Sequence, residues 1–539
     1  MTVLELLQRG LRTATSNSLR SFRLASPSKT TRFASLISNQ YSRNMTSDAA
    51  ASTESAPAPA VIETIATTTA TTESNGVKRR KLQGREFYES IGSPKTIVAP
   101  MVEQSEFAWR LLSRRHSPAN TLCYTPMFHS RLFGESQTYR TQSYQPPHMD
   151  WKEGPRGDRP LFVQFCSNDP EHLLEAAKHC QDHCDAVDLN LGCPQGIAKK
   201  GHYGSFLQEE PELIKSLISK LHKDLDIPVT AKIRILETKE KSLEYAKMVV
   251  DAGAQVLTVH GRTREQKGHN TGLADWDYIK YIRDNLPKEV VMFANGNVLW
   301  REDVDACLAY TGVDGVMSAE GNLYNPATFC ESEDWDERFP RMDKIGREYL
   351  EIIRNEVLPH LPLQELLSRP EEKRSRRLLN EVHKDANLTP IKSHLFKIWH
   401  PLLQIHLEVR NAVGRSSTRH LGPDGDPLYD YMEALRSVEK IIAEHLEKNP
   451  EQVDENGKWV GPDTEVVEGV KYTEGIEVVV KGKKYRRVVP WYRCQPYYRP
   501  LPEVAKANGA LKEKVARKAE DDGREEEGSK KAKVEECCY

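Results

Sequence analysis

Cys193 is the residue in this chain best placed to do chemistry. It lies in the stretch AVDLNLGCPQGIAKKGHYGSFL, residues 186–207, which opens as an apolar alternating run and breaks at Gly192, Cys193 and Pro194. Asn190 stands just before it, and Lys199 and Lys200 follow in a glycine-rich loop. A thiol at the tip of a buried strand, beside an amide and ahead of a basic loop, suits a proton donor facing a bound ligand. A buried core cysteine is the competing reading, because free cysteines are mostly core residues. Its company weighs against that. Polar residues recur where other apolar runs end: Gln164 in LFVQFCS, Lys232 and Arg234 in VTAKIRI, and His260 and Arg262 in QVLTVHGR. Asn295 and Gly296 follow in VVMFANGN, and Ser318, Ala319 and Glu320 in GVMSAE. Packing alone does not place a polar group at the same end of run after run. The segments NGN and SAEGN add small residues with backbone N–H groups to offer, which points to an anionic, phosphorylated cofactor.

These positions need a scaffold that delivers strand ends to one place. From Thr96 onward, short apolar runs alternate with helix-period segments. TIVAPM precedes SEFAWRLLSRR, LCYTPM leads into a long connection through Asp158, and LFVQFCS precedes PEHLLEAAKHCQDH. The alternation continues to GVMSAE and gives eight strand–helix units in about 240 residues, the number and length of a TIM barrel. The expected fold is therefore α/β: a (β/α)8 TIM barrel followed by a smaller helical domain, with disordered termini. A doubly wound sheet competes, but it sets a glycine-rich turn after its first strand, and APMVEQSE is not one. HCQDHC at 179–184 contains metal-ligating residue types. Leu173, Leu174, Ala177, Cys180 and Cys184 share one helical face, however, so a core stripe and no metal is the expectation.

The 539 residues carry a formal charge of -2, unevenly spread. Residues 1–44 hold Arg9, Arg12, Arg20, Arg23, Arg32 and Arg43 against a single acid, Glu5. That is the composition of a mitochondrial transit peptide, with a plain disordered N-terminus as the other reading. Met45 offers a second start, residues 46–76 are Ala/Thr/Ser/Pro low complexity, and Lys78-Arg79-Arg80-Lys81 has the form of a nuclear import signal. The expected location is cytoplasmic and/or nuclear, with a mitochondrial form from the first start. Ten cysteines scattered without a small-domain framework fit a reducing compartment. No apolar run is long enough to span a membrane. The expected organisation is a disordered extension at 1–92, the barrel at 93–335, a helical domain at 336–449, an extension at 450–504 and a charged disordered tail at 505–539.

The motifs APMVEQSE, YTPMFHS, QFCSNDP, DLNLGCPQGIAKKGHYGSFL, KIRI, VHGRTREQKG, ANGNV and GVMSAEGNLYNP together resemble the tRNA-dihydrouridine synthase family. The resemblance is to its eukaryotic branch acting on D-loop uridines near positions 16 and 17. It is close over residues 93–330 and looser through 392–410 and CQPYYRPLP at 494–502. LNLGCP followed by Lys-Lys-Gly-x-x-Gly is the specific part. The resemblance implies FMN at the barrel mouth and NADPH or NADH as reductant. It implies backbone at Pro100, Met101 and Val102 against the flavin ring, Gln164 on the pyrimidine edge, Lys232 near N1 and C2=O, and His260 on the cofactor side. It also implies Asn295, Gly296, Asn297, Ala319 and Glu320 around the phosphate, with Glu320 contributing its backbone N–H. Cys193 would give a proton to uracil C5, and Asn190 would orient the base or the flavin. Lys199, Lys200, Arg262 and Arg264 are candidates for the RNA, with solvated loop residues as the alternative.

A uridine in folded tRNA must leave its stack to reach such a site, so an RNA-holding surface is needed beyond the barrel. Residues 340–447 read as helical. Within 371–420, ten Lys/Arg stand against five Asp/Glu, which suits an RNA-binding helical domain or a merely solvated face. Phe396 and Trp399 in HLFKIWHPLL are expected in the core. Val478–Val480 and Tyr485–Val489 frame a basic hairpin about Gly482. Partners are thus tRNA, no membrane and no metal, and the resemblance implies a monomer. The rival readings are a free-pyrimidine flavin oxidoreductase of the dihydroorotate dehydrogenase type and a non-catalytic RNA-binding protein.

Overall fold

The computed structural model describes residues 80–144, 158–361, 363–368, 382–455, 458–459, 464–466, 476–480, 483–487 and 489–507. The expected transit peptide, the low-complexity stretch, Lys78 and Arg79 of the tetrad, Gly482 and residues 508–539 of the charged tail lie outside these residues.

Eight parallel strands close into a barrel: β1 Thr96–Val98, β2 Leu122–Tyr124, β3 Leu161–Cys166, β4 Ala186–Leu191, β5 Val229–Arg234, β6 Val256–His260, β7 Val291–Asn295 and β8 Gly315–Ser318. Each pairs with the next and β8 returns to β1. The two-residue strand Phe128–His129 adds to the end of β3. Strands covered on both faces must be almost wholly apolar, which is why LFVQFC and VMFAN are buried along their length. The intervening helices start where the sequence can cap them. Asp169 accepts from the N–H groups of Glu171 and His172 ahead of Pro170–Lys178, and Asp275 does the same for Trp276–Asp284. The register then aligns the polar positions across neighbouring strands: Gln164 with Asp188, Asn190 with Lys232, Arg234 with His260, and His260 with Asn295.

The sequence puts Cys180 and Cys184 on one helical face. The helix ends instead at Lys178 and a single 3-10 turn, Gln181–His183, separates the two thiols. Both are buried in the core all the same, and no cluster of metal-ligating side chains exists among the described residues. None of the described helices is long and apolar enough to cross a membrane.

Helices Met342–Ile352, Ile391–Ile398, Leu407–Arg415 and Tyr429–Lys448 follow the barrel and share one continuous core with it. Trp399 is fully buried and donates from Nε1 to the Met342 carbonyl, while Phe396 is half-buried. A side chain at Gly346 would meet the Trp399 ring at 2.7 Å, so glycine is needed there. The seam with the barrel is polar at its centre. Glu106, buried just before helix Phe107–Arg115, accepts from Tyr349 Oη at 2.9 Å and pairs with His394 Nε2 at 3.1 Å. His394 stacks flat on Trp109, with ring centroids 4.0 Å apart. Burial drives the His394 pKa down, so the imidazole is neutral and donates Nε2–H to the carboxylate. The hairpin is present as Ile476–Val480 against Lys483–Arg487, and a third strand, Thr464–Val466, unforeseen from sequence, pairs with the latter.

Removing the acceptor at this seam leaves two buried donors unpaired. Glu106→Ala is expected to lower unfolding stability by about 3 kcal/mol, with Glu106→Gln costing less, as read from urea denaturation. A change within about 0.5 kcal/mol would contradict the role given to this contact.

Candidate active site

The loop after β4 is held by the strand that precedes it. Asn190 Oδ1 accepts from the N–H groups of Gly192 at 3.1 Å and Cys193 at 2.9 Å. Its Nδ2 donates to Gln164 Oε1 at 2.8 Å, Gln164 Nε2 donates to Asp188 Oδ2 at 2.8 Å, and Thr230 Oγ1 donates to Asp188 Oδ1 at 2.6 Å. A chain of hydrogen bonds thus runs from the barrel interior to the Cys193 backbone. Asp188 anchors it. Burial pushes this carboxyl up to about 6, against the Thr230 and Gln164 hydrogen bonds and the Lys232 charge.

From the other side, Ser205 donates both N–H and Oγ to the Cys193 carbonyl at 3.1 and 2.9 Å. Arg234 donates to the carbonyls of Gly192 (2.7 Å) and Thr263 (2.9 Å), and Lys267 Nζ to that of Pro194 (2.6 Å). Gly204 sits at φ +67°, where a Cβ would lie 2.8 Å from the Cys193 oxygen. Cys193 is thus held through its backbone and is half-buried; burial raises its thiol pKa above 9.0, while a hydrogen bond from the Gln195 backbone and then Arg234, Lys232 and Lys267 pull it down. It is therefore a protonated thiol whose conjugate base the surroundings can stabilise.

Next to it the mouth is crowded with basic side chains. Lys232 is pushed down to about 7 by burial and then by Arg234, and its ammonium makes no hydrogen bond among the described residues. His260 is driven well below 6.5 by burial and by Arg234, Lys232 and Arg262. Arg262 is lowered to about 10, by burial first. Basic groups whose charge is disfavoured in this way, packed together in a concave site, favour an electron-rich or anionic ligand.

The ends of β6, β7 and β8 line an adjoining cavity of about 210 Å³ with His260, Asn295–Asn297 and Ser318–Gly321. Arg262 belongs to this wall: it contacts His260 Nε2 and donates to Asn297 Oδ1, both at 3.0 Å. Gly296 has φ +113°, and a Cβ there would meet that of Ala274 at 2.5 Å. The Asn295 amide is engaged by the Met317 carbonyl at 3.0 Å. Segment 497–501, beyond the helical region, closes the cavity, and Arg499 Nε meets both Glu320 carboxylate oxygens at 2.8 and 2.7 Å.

The structure therefore links Gln164, Asn190 and Lys232 to Cys193, and gathers His260, Arg262, Asn295, Gly296, Asn297, Ala319 and Glu320 around the cavity. Pro100, Met101 and Val102 follow β1 outside that cavity, with Met101 buried and Val102 exposed. Lys199 and Lys200 are exposed on the short helix Gly196–Gly201. Arg264 is tied to the Ser205 carbonyl and to Glu209 at 3.1 and 2.6 Å. Sequence reasoning did not single out Asp188 or Arg499. An acid inside an otherwise apolar strand was the available signal for the first.

A model of the dihydrouridine synthase (Dus) family matches residues 97–410. The tRNA-dihydrouridine(16/17) synthase (NAD(P)(+)) of Saccharomyces cerevisiae is 46% identical over 471 residues, 86% of this chain and 99% of the yeast protein. The Schizosaccharomyces pombe protein of the same name is 46% identical over 81% of this chain and 98% of its own length. The Mus musculus protein called tRNA-dihydrouridine(16/17) synthase (NAD(P)(+))-like is 38% identical over 82% of this chain and 76% of its own length.

Lys232 gives a signed pH prediction. Its folded pKa, about 7, lies below the ordinary 10.5, so between these values the unfolded chain binds more protons and this group makes stability rise with pH. Below about 7 its full cost is present. In ligand-free protein, Lys232→Met should raise the unfolding temperature at pH 6.5, and the gain should vanish toward pH 10. A gain independent of pH would contradict a charged buried lysine.

Proposed function

The chain belongs to the dihydrouridine synthase family, and from that premise we propose that it reduces the C5–C6 bond of uridines 16 and 17 in the tRNA D-loop, using FMN and NAD(P)H. The observation that carries this reading is the pairing of a protonated thiol, on a backbone held by hydrogen bonds, with a mouth lined by basic groups and a cavity suited to a phosphorylated ligand. The donor set fits a flavin mononucleotide. The amides of Gln164 and Asn190 and the ammonium of Lys232 would hold the ring's polar edge, and His260, Arg262 and the backbone at Gly296, Asn297, Ala319 and Glu320 would hold its phosphate end. A flavin held there would supply hydride transfer from NAD(P)H to uracil C6.

The chain's own residues do the rest. Cys193 delivers the proton that C5 requires after hydride arrives at C6. A thiol with an unperturbed pKa of roughly 8.5 is already mostly protonated near neutrality, and burial here keeps it more so. As the S–H bond breaks, Arg234, Lys232 and Lys267 stabilise the thiolate electrostatically, and water restores the proton before the next turnover. Asn190 fixes the direction of the thiol through the Cys193 backbone and orients the base. The lowered pKa of Lys232 rises toward its ordinary value when an electron-rich ligand edge comes against it.

The uridine arrives flipped from its tRNA. Lys384, Arg410, Arg415 and Arg419 are exposed on the helical region and, with Lys199 and Lys200 near the mouth, supply sequence-independent contacts to the phosphate backbone. Trp399 is excluded as a base-stacking residue by its burial.

The test is dihydrouridine formed in unmodified tRNA by FMN-loaded protein with NADPH. Cys193→Ala should cut the rate by about 10²- to 10⁴-fold, the range for loss of a positioned acid, without loss of bound flavin. Equal rates would remove Cys193 from its role. No dihydrouridine from flavin-loaded wild type, together with reduction of free pyrimidines, would replace the tRNA reading.

A further inference from the structure

The segment Val489–Ala507 lies beyond the part of the chain that the family model matches, yet it reaches back to the end of the barrel where β7 and β8 finish. Its course is set by buried contacts. Arg493, 1% exposed, donates to the Phe339 carbonyl at 2.8 Å, pairs with Asp336 and lies over the Trp459 ring. The Cys494 N–H donates to the Pro340 carbonyl at 2.9 Å, and the Tyr492 carbonyl accepts from the Met342 N–H at 3.0 Å. Tyr497 stacks on Tyr324 with centroids 5.3 Å apart, and Trp300 Nε1 donates to Tyr498 Oη. Thus seated, residues 497–501 become one wall of the cavity described above.

The charge balance of that cavity has an unexpected feature. Two carboxylates line it, Asp303 and Glu320. Asp303 is occupied in accepting from the N–H groups of Leu299 and Trp300 at 2.8 and 2.9 Å. Glu320 stands on the β8 end, where a bound phosphate would be repelled by it. Arg499 closes on both oxygens of this carboxylate, and Arg262 flanks it closely enough for each guanidinium to disfavour the other's charge. With Asp303 held by backbone N–H groups, two guanidiniums flank the one remaining acid, in a recess walled by Trp300 and Tyr498.

Resting on the flavin reading given above, we propose that Arg499 is a cofactor-binding residue brought by the C-terminal segment, which cancels the Glu320 carboxylate and, with Arg262, makes the phosphate end of the cavity selective for a phosphorylated flavin. The segment is then part of the cofactor site, and the barrel alone is an incomplete one. Riboflavin, which lacks the phosphate, is indifferent to this pair. FMN is not.

The experiment is a fluorescence titration of flavin-free full-length protein with FMN and, separately, with riboflavin. Arg499→Ala should weaken FMN by about tenfold or more, the scale of one charge-assisted contact, and shift riboflavin by less than about twofold. Adding Glu320→Gln to Arg499→Ala should recover part of the FMN affinity, because the uncompensated carboxylate is gone. Arg499→Lys should fall between wild type and Arg499→Ala. Unchanged FMN affinity in Arg499→Ala would overturn the proposal, and so would equal losses for both flavins, which would make Arg499 only a tie for the segment. Wild-type protein that binds neither flavin would instead refute the flavin reading on which the proposal rests.

Discussion

Lys232, Arg234, His260 and Arg262 are crowded into one barrel mouth, and much else in the structure answers to that crowding. Each has its pKa depressed, by burial first and then by its neighbours. Such a cluster is costly in a folded protein unless other groups meet it. Asp188 below, Glu320 beside, and the carbonyls of Gly192, Thr263 and Gly272 meet it only in part. The remainder is an electrostatic demand that an anionic, oxygen-rich ligand satisfies. A parallel barrel can hold such a set because its register brings alternate residues from neighbouring strands to the same level at one end.

The cluster serves two ends: His260 and Arg262 line the cavity at β7 and β8, and Lys232 and Arg234 stand by the thiol at β4. Arg234 joins the two by bonding both to the Cys193 loop and to the loop after β6. A displacement of that arginine would therefore move the Cys193 loop and the loop after β6 together. Asp188 and Asn190 oppose such movement from within, since the hydrogen-bond chain from Thr230 through Asp188, Gln164 and Asn190 ends on the Cys193 N–H.

Much of this is legible in the sequence because a closed parallel barrel writes itself as apolar runs with polar ends. Cys193, Lys232 and His260 fall at the ends of such runs, and the order of the strands follows from their alternation with helices. What cannot be read there depends on distant pairing. Asp188 is visible as an acid in a strand, but its partners Gln164 and Thr230 are 24 and 42 positions away and reach it only through the strand register. Glu320 and Arg499 are 179 positions apart. The sequence places an acid, Glu320, where a phosphate is expected, and the contact of Arg499 Nε with both of its carboxylate oxygens is the physical reason it is tolerated. Cys180 and Cys184 show the opposite failure: their burial is legible and the end of their helix is not, because periodicity continues past the point where the backbone leaves the helix at Lys178.

The claim that a bound flavin relieves the charge tension of the mouth can be tested by calorimetry of FMN binding at pH 8, in buffers of different ionisation enthalpy. Lys232, with a pKa of about 7 in the free protein, is then mostly neutral and should regain its proton as the ligand binds. The account predicts net uptake of up to about one proton per FMN, largely lost in Lys232→Met. Tight binding with no proton uptake, or the same uptake in the variant, would contradict it.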